Sequence, residues 1–290
     1  AVPMIPLSFF RSSTFTGANL VSLAVAFLIS GVAFSMTLYY QNVQGYSAIQ
    51  TGLTMLPLVL TMMVVATLSG SLVNRFGTRW MIALGMVISG SSMFLFRRAG
   101  VEATYLDIVP GLVVLGIGNG LIFAPMTTAV LNSVETGRAG VASAINGAIR
   151  ETGFAFGVAL LGTLMNQTYR ERFTSSSEIE QLRDPGNPTL APLQPVLYVI
   201  DRGINFAGRV IENPAHFPGL PPEVTEPIRI ASSRAFVAGM DRAFLISGTT
   251  MILFSLLAVL LIRDDPTGRP ARVEADPNAE DLTLEPATAD

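Results

Sequence analysis

The chain contains no cysteine, no lysine, one histidine and one tryptophan in 290 residues. Without cysteine it forms neither disulfide bonds nor thiolate metal sites. The single histidine, His216, has no second ligand at a useful spacing, so no metal site is expected. Charged residues are scarce at 13%, against about a quarter in soluble domains, whereas 50% of the residues are hydrophobic. This balance predicts an integral membrane protein.

The net charge of −3 is concentrated at one end, because 263–290 carries eight acidic residues and three arginines. No basic cluster forms a nucleic-acid footprint, so nucleic acid is not an expected partner. The segment 263–290 is almost free of large apolar residues, and we expect a disordered acidic tail. The chain starts with alanine and shows no secretory signal, which indicates a mature product or a fragment of a longer protein.

Six apolar runs are long enough to cross about 30 Å of hydrocarbon as helices. Five predicted spans lie within 1–166, and the full set is about 17–40, 51–73, 80–96, 105–131, 139–165 and 243–262. The proline-rich stretch 167–242 is expected to be a large loop outside the membrane. Six spans put both termini on one side, and the arginines of the short loops place that side in the cytoplasm. We predict an all-α integral membrane bundle of six transmembrane helices with a large extracytoplasmic loop.

The turn between the second and third spans has a distinct residue pattern: Gly70, Asn74, Arg75, Gly77 and Arg79. Gly70 permits two helices to approach, Gly77 permits a positive φ, and the arginines can bind helix C-terminal carbonyls and acids. The pattern resembles the cytoplasmic gating turn of the major facilitator superfamily, which usually has Asp at the position of Asn74. An ordinary arginine-rich cytoplasmic turn is the alternative interpretation.

Further motifs follow in order along the chain: Phe10-Arg11, the corner 40–47, Gly52-Leu53-x-x-Leu56-Pro57, the glycine-rich run 116–120 with Pro125, and Arg150-x-x-Gly153-x-x-x-Gly157. Together they resemble the C-terminal half of the fourteen-span drug:proton antiporters of that superfamily, over roughly 7–167 and 236–262. The resemblance implies one half of a major facilitator fold in a bacterial inner membrane. It also implies proton-coupled export of lipophilic or cationic small molecules, no cofactor, and an N-terminal half that this chain lacks.

The fifth span carries two charges, Arg150 and Glu151, near its middle. A charge at mid-membrane costs at least about 2.5 kcal/mol, so it almost always faces a bundle interior or an aqueous cavity. Adjacent residues point about 100° apart on a helix and cannot share one face. We expect Arg150 either to face the cavity or the interface between halves, or to pair locally. Glu151 is a candidate for titration during transport.

Four polar side chains are further candidates for the transport path: Asn146, Asn119, Tyr40 and Gln41. Asn146 lies four residues before Arg150 and shares its face. Membrane amides bind substrate in some proteins and join helices in others, and both interpretations stay open here. Tyr40 and Gln41 fit an outer vestibule or an interfacial aromatic belt. Gly153 and Gly157 are expected to form a helix-packing groove.

The sequence has no activated serine or cysteine nucleophile and no phosphate-binding glycine loop, which argues against an enzyme and an ATP-driven pump. The alternative to a transporter is a membrane scaffold or binding subunit that acts through its large outer loop. In that case substitutions at Arg150 would be silent, whereas deletions in the loop would not.

Overall fold

The computed structural model describes residues 6–182 and 222–263, and every regular element in them is a helix. The helices are α1 (Ser13–Leu38), α2 (Ala48–Thr54), α3 (Leu56–Phe76), α4 (Thr78–Leu95), α5 (Tyr105–Asn132), α6 (Ala139–Thr174), α7 (Ser177–Leu182) and α8 (Pro222–Leu261). A π-helical turn, Tyr39–Val43, continues α1. Within the described residues, six helical segments are long and apolar enough to cross a membrane. The predicted all-α bundle of six spans is confirmed.

Local side-chain chemistry sets where these helices begin. The Ser12 hydroxyl oxygen accepts a hydrogen bond from the Phe15 N–H at 3.3 Å, so α1 begins four residues before the predicted span. Ser47 and Gln50 form a capping box at the start of α2. Pro57 lies in the first turn of α3, where its missing N–H does little harm, and it explains why α2 and α3 are separate helices.

Five of the long helices pack in a closed ring, and α3 lies at one edge of it, mainly against α5. We call the end of the bundle at which α1 begins the near end, and the opposite end the far end. α3 packs along α5, α5 on α4, α4 on α8, α8 on α6, and α6 on α1. α1 also contacts α5 and α8, which fills the centre of the bundle. α1 and α5 are therefore flanked by α3 on one side and α6 on the other.

Two glycines set the close approach of α6 to α1. A Cβ at Gly153 would lie 2.6 Å from the carbonyl oxygen of Leu23, and one at Gly157 would meet the carbonyl oxygen of Phe27. Real Cβ atoms essentially never approach other heavy atoms within 3.0 Å. Small residues at such contacts let membrane helices pack backbone to backbone.

α6 and α8 are much longer than the predicted spans. α6 continues nine residues past 165, and α8 begins 21 residues before 243. With 36 and 40 residues, they are roughly 54 and 60 Å long at about 1.5 Å per residue, or about twice the hydrocarbon thickness. The helices thus extend beyond the predicted spans, since 167–174 and 222–242 are helical. The rest of the expected loop, 183–221, and the expected disordered tail beyond 263 lie outside the described residues.

The parts of α6 and α8 beyond the predicted spans, which we call the far-end extensions, share an apolar stripe with α7. Their buried side chains include Tyr169, Phe173, Ile179, Ile228 and Phe236. Tyr169 and Phe173 are one turn apart, so they continue the buried face of α6 through the charged run 170–172. These charges do not prevent a helix from continuing outside the membrane.

Ion pairs at the far end join the extensions to the bundle. Arg97 after α4 binds Asp241 of α8 at 2.9 Å, and Arg234 of α8 binds Glu178 of α7 at 2.9 Å. The backbone N–H of Glu178, the Ser177 hydroxyl and Arg234 lower the pKa of the Glu178 carboxyl. This carboxylate therefore stabilises the fold above its unfolded pKa, and the contribution is lost as the pH falls through the lowered folded value.

Replacing Gly157 with alanine should lower the thermal stability of the purified protein, because the added methyl group would meet the Phe27 carbonyl. Overpacking of this kind costs about 1–3 kcal/mol. Gly147→Ala is the matched control on α6, since a Cβ there has nothing within 4 Å. Thermal unfolding in detergent, followed by circular dichroism, measures both variants. Equal melting temperatures would contradict the packing described for Gly157.

Candidate transport site

α3 and α6 are the least buried of the long helices. The comparison uses the 18 most apolar consecutive residues of each span. Of these residues, 6% are buried in the span that contains α3 and 22% in α6, against 56% in α1, α4 and α5. Large side chains such as Leu60 and Met63 stay exposed on α3. We call the surface formed by α3 and α6 with the exposed sides of α1 and α5 the open face. It is the broadest candidate for a surface that lines a transport path.

Arg150 and Glu151 lie at mid-depth of α6. Arg150 follows the start of α6 at Ala139 by eleven residues, so it lies roughly 16 Å from the near end at about 1.5 Å per residue. Its side chain is partly buried, whereas Glu151 is exposed. Among the described residues, neither has a hydrogen bond or ion pair. The structure therefore separates the two charges instead of pairing them.

The side of α6 that faces α1 carries four of the predicted residues: Asn146, Arg150, Gly153 and Gly157. Their spacings of four, three and four residues place them on one helical stripe. Gly153 and Gly157 contact α1 directly, and Asn146 bonds to it. We call this row the α6 stripe. Glu151 projects from a different face of the helix.

A buried amide on α1, Asn19, holds Asn146 in place. Asn19 is 2% exposed, and its Nδ2 donates to the carbonyl oxygen of Phe15 at 2.8 Å. Its Oδ1 accepts from Asn146 Nδ2 at 3.1 Å, an amide assignment that satisfies both bonds. Asn146 thus serves as a link between helices through its nitrogen. Sequence analysis did not single out Asn19, although an amide inside an apolar span was the available signal.

Asn119 lies away from the α6 stripe, in the contact between α4 and α5. It is 1% exposed, and the Ser89 hydroxyl donates to its Oδ1 at 3.4 Å. The neighbouring Gly118 brings the two helices together, since a Cβ there would lie 2.7 Å from the Gly85 carbonyl oxygen. The structure does not bring Asn119 to Asn146 or Arg150. Its surroundings are those of an amide that joins two helices.

Tyr40 and Gln41 lie in the π-helical turn at the far end. Tyr40 is 1% exposed and stacks on Tyr46 with ring centroids 5.5 Å apart, and Gln41 is partly buried. The amide that organises this corner is Gln44, whose Nε2 donates to the Tyr39 hydroxyl at 2.8 Å. That hydroxyl donates in turn to a carbonyl oxygen between α4 and α5. Tyr40 therefore packs inside a tyrosine cluster rather than on an exposed surface.

The segment 70–79 runs from the last turns of α3 through Gly77 into the start of α4, at the near end. Gly77 has a φ of +82°, a conformation that glycine adopts readily. The guanidinium groups of Arg75 and Arg79 lie 5.6 and 5.4 Å from the ring centroid of the next residue. A Cβ at Gly70 would have nothing within 4 Å, so within the described residues Gly70 makes no close helix contact. Asn74 lies in the last turn of α3.

An apolar cavity of about 220 Å³ lies between α1, α6 and α8. Leu23, Phe27, Phe156 and Met251 are among its lining residues, and almost all of its surface is apolar. Its volume is below the roughly 300–1,000 Å³ of sites for drug-sized ligands. We therefore do not assign it as a substrate pocket.

A family model described as the Major Facilitator Superfamily matches residues 1–158, more than half of the chain. The chain belongs to the major facilitator superfamily. The predicted resemblance to this superfamily is confirmed. As a member of a superfamily of transporters, the protein is not an enzyme.

This superfamily member is similar to several curated bacterial proteins. It is 26% identical over 277 residues to the tetracenomycin C resistance and export protein of Streptomyces glaucescens, and the aligned region covers 92% of this chain and 47% of that protein. It is 34% identical over 165 residues to the multidrug resistance protein Stp of Mycobacterium tuberculosis, and the aligned region covers 56% of this chain and 30% of that protein. It is 28% identical over 166 residues to the methylenomycin A resistance protein of Streptomyces coelicolor, and the aligned region covers 57% of this chain and 35% of that protein.

The chain thus spans about half the length of the first of these relatives and about a third of the other two. The relatives are resistance and export proteins of the superfamily, and the six apolar segments are long enough to cross a bilayer. The chain is a multi-pass membrane protein of a transporter family.

The hydrogen bond between Asn19 and Asn146 should appear as a coupling energy in a double-mutant cycle. Asn19→Ala, Asn146→Ala and the double variant should show a coupling of about 0.6 kcal/mol, with about 1.7 kcal/mol as an upper value for such bonds in membranes. Asn19→Ala combined with Asn119→Ala is the control and should be additive, since these residues share no hydrogen bond. Unfolding free energies in detergent give both cycles. Additivity in the Asn19–Asn146 cycle would refute the bond.

Proposed function

We propose that the chain is the C-terminal half of a fourteen-span drug:proton antiporter and forms one wall of its path for lipophilic or cationic small molecules. The observation that carries this proposal is Glu151, an exposed carboxylate at mid-depth of a spanning helix. In contact with lipid such a charge costs about 2.5 kcal/mol or more. The face of α6 that bears it therefore needs water or a second protein body against it.

A second six-span body would supply that cover. Transporters of this superfamily place the substrate near the bilayer midplane between two halves, which move against each other. The tetracenomycin C exporter is about twice as long as the part that this chain matches. The open face, with α3 and α6 at its edges, is the surface that we assign to the contact and to the path.

Glu151 is also the group that we assign to proton coupling. Among the described residues it is the only carboxylate near mid-depth, because the other acids of the helices lie toward the bundle ends or in the far-end extensions. A carboxylate facing a cavity can bind and release a proton as its surroundings change between water and protein. The names of the relatives, which refer to antibiotic and multidrug resistance, support export of small molecules.

We further propose that the near end is cytoplasmic, in a bacterial plasma membrane. The near end carries five arginines: Arg11, Arg75, Arg79, Arg138 and Arg263. The short connection at the far end carries Arg97 and Arg98, and long segments do not count in the positive-inside rule. Both termini of the chain are then cytoplasmic, and the far-end extensions are extracytoplasmic.

A cysteine at Glu151 should react with a membrane-impermeant methanethiosulfonate reagent, because we place this face against water. The chain has no cysteine of its own, so it adds no background labelling. Leu253→Cys is the control, since Leu253 is 58% exposed on α8 and lies roughly 12 Å from the near end at about 1.5 Å per residue. Labelling is measured in cell membranes on the intact transporter. Equal labelling of the two positions would show that Glu151 faces lipid.

Glu151→Gln should reduce efflux of Nile red, a neutral lipophilic dye, by about tenfold or more, because glutamine cannot carry the proton. Glu180→Gln is the control, since Glu180 is an exposed acid on α7. Efflux rates are measured from energised cells with and without a protonophore. An efflux rate that the protonophore does not change would disprove proton coupling. Wild-type efflux in Glu151→Gln, together with its loss on deletion of 183–221, would favour the scaffold function of the loop.

A further inference from the structure

Arg150 is a cation that the proposed proton cycle does not use. Of the described arginines, only Arg79 and Arg150 have partly buried side chains, and the others are exposed. Arg79 has an interaction partner. Arg150 has neither a hydrogen bond nor an ion pair to a described residue, although it lies at mid-depth where a lone charge is costly. A counter-charge must therefore come from another source.

The described carboxylates do not supply that counter-charge. Glu151 is adjacent in sequence, but it projects from another face of α6 and is exposed. The next acid on α6, Glu171, is 21 residues away, or roughly 30 Å along the helix. Asp107 is held in the capping box of α5, and Asp241 binds Arg97 at the far end.

The register of α6 on α1 places an apolar wall beside the guanidinium group. Gly153 packs against Leu23, and Gly157 packs one turn further along against Phe27. The helices run parallel here, so Arg150 lies level with the turn 20–23 of α1. Leu20 and Leu23 are both partly buried and leave apolar surface at this level. A ligand at Arg150 would thus meet a positive charge and hydrocarbon side by side.

Asn146 adds a hydrogen-bond acceptor on the same stripe. Its Nδ2 is bound to Asn19, which leaves its Oδ1 without a partner among the described residues. One turn on, the guanidinium offers a planar fork of N–H donors that suits the two oxygens of a carboxylate. The arrangement favours an anionic oxygen at Arg150 and a hydroxyl donor at Asn146.

We infer that Arg150 binds the anionic oxygen of a lipophilic acid that is carried past the middle of α6. This inference rests on the proposed function, and it narrows the substrate class to lipophilic anions instead of cations. Arg150 is a binding residue in this assignment, and Asn19 positions the stripe through Asn146.

Three probes on one ring system test this inference: 2-naphthoate, the neutral 2-naphthamide and the cationic 2-naphthylmethylammonium. Equilibrium binding to the purified intact transporter should favour naphthoate. Arg150→Gln should weaken the binding of naphthoate by about 10- to 100-fold, the range expected for hydrogen bonds to a charged group. The binding of naphthamide should stay unchanged. Arg150→Lys should retain part of the preference, because it keeps the charge and loses the fork.

One variant serves as the matched control. Arg170→Gln makes the same change at an exposed position of α6 and should bind all three probes as the wild type does. Comparing probes within each variant separates a binding role from a loss of folded protein, which would weaken all three alike.

Several outcomes would overturn the inference. They are equal binding of naphthoate by wild type and Arg150→Gln, a preference of the wild type for the cation, and a lack of saturable binding by naphthoate. Each of these outcomes would mean that a carboxylate elsewhere in the transporter supplies the counter-charge of Arg150. None of them decides the proposed export function, which depends on the Nile red efflux of Glu151→Gln.

Discussion

The close contact between α1 and α6 determines where the candidate transport residues lie. Gly153 and Gly157 let the two backbones approach to a separation that no side chain at those positions would allow. The same contact brings Asn146 within 3.1 Å of Asn19 and fixes which side of α6 faces the bundle. Once that rotation is set, Arg150 must lie on the packed side and Glu151 on the exposed side. The electrostatics of the site are thus a consequence of helix packing.

The length of the apolar runs was sufficient to predict the six spans, and the superfamily followed from the resemblance of the motifs. A run of more than twenty apolar residues has few structural solutions, because a bilayer satisfies no backbone hydrogen bonds. The ends of α6 and α8 were less accessible from sequence. Arg170, Glu171 and Arg172 mark where α6 leaves the apolar region, yet Tyr169 and Phe173 keep one face buried and the helix continues. A hydropathy argument detects the membrane boundary, which is a different position from the end of the helix.

The candidate site was partly predictable for the same kind of reason. Helical spacing alone placed Asn146 and Arg150 on one face and Glu151 on another, and the structure has this arrangement. Spacing within one helix does not reveal which neighbour a face meets. Asn119 and Tyr40 have the composition of path residues, but their helices turn them toward α4 and into the tyrosine cluster. Asn19 was missed because its importance comes from a residue 127 positions away in sequence.

The far-end extensions have a mechanical consequence. They are continuous with α6 and α8, share buried aromatic side chains, and are tied to α4 by the ion pair of Arg97 with Asp241. These shared contacts couple the orientation of the two extensions to that of the bundle below. Any tilt of the bundle in the bilayer would therefore move the tips near 174 and 222 through a larger arc than the mid-membrane residues. The extensions act as a lever arm, and their outer ends are the place where a small rearrangement in the membrane is visible as a large displacement.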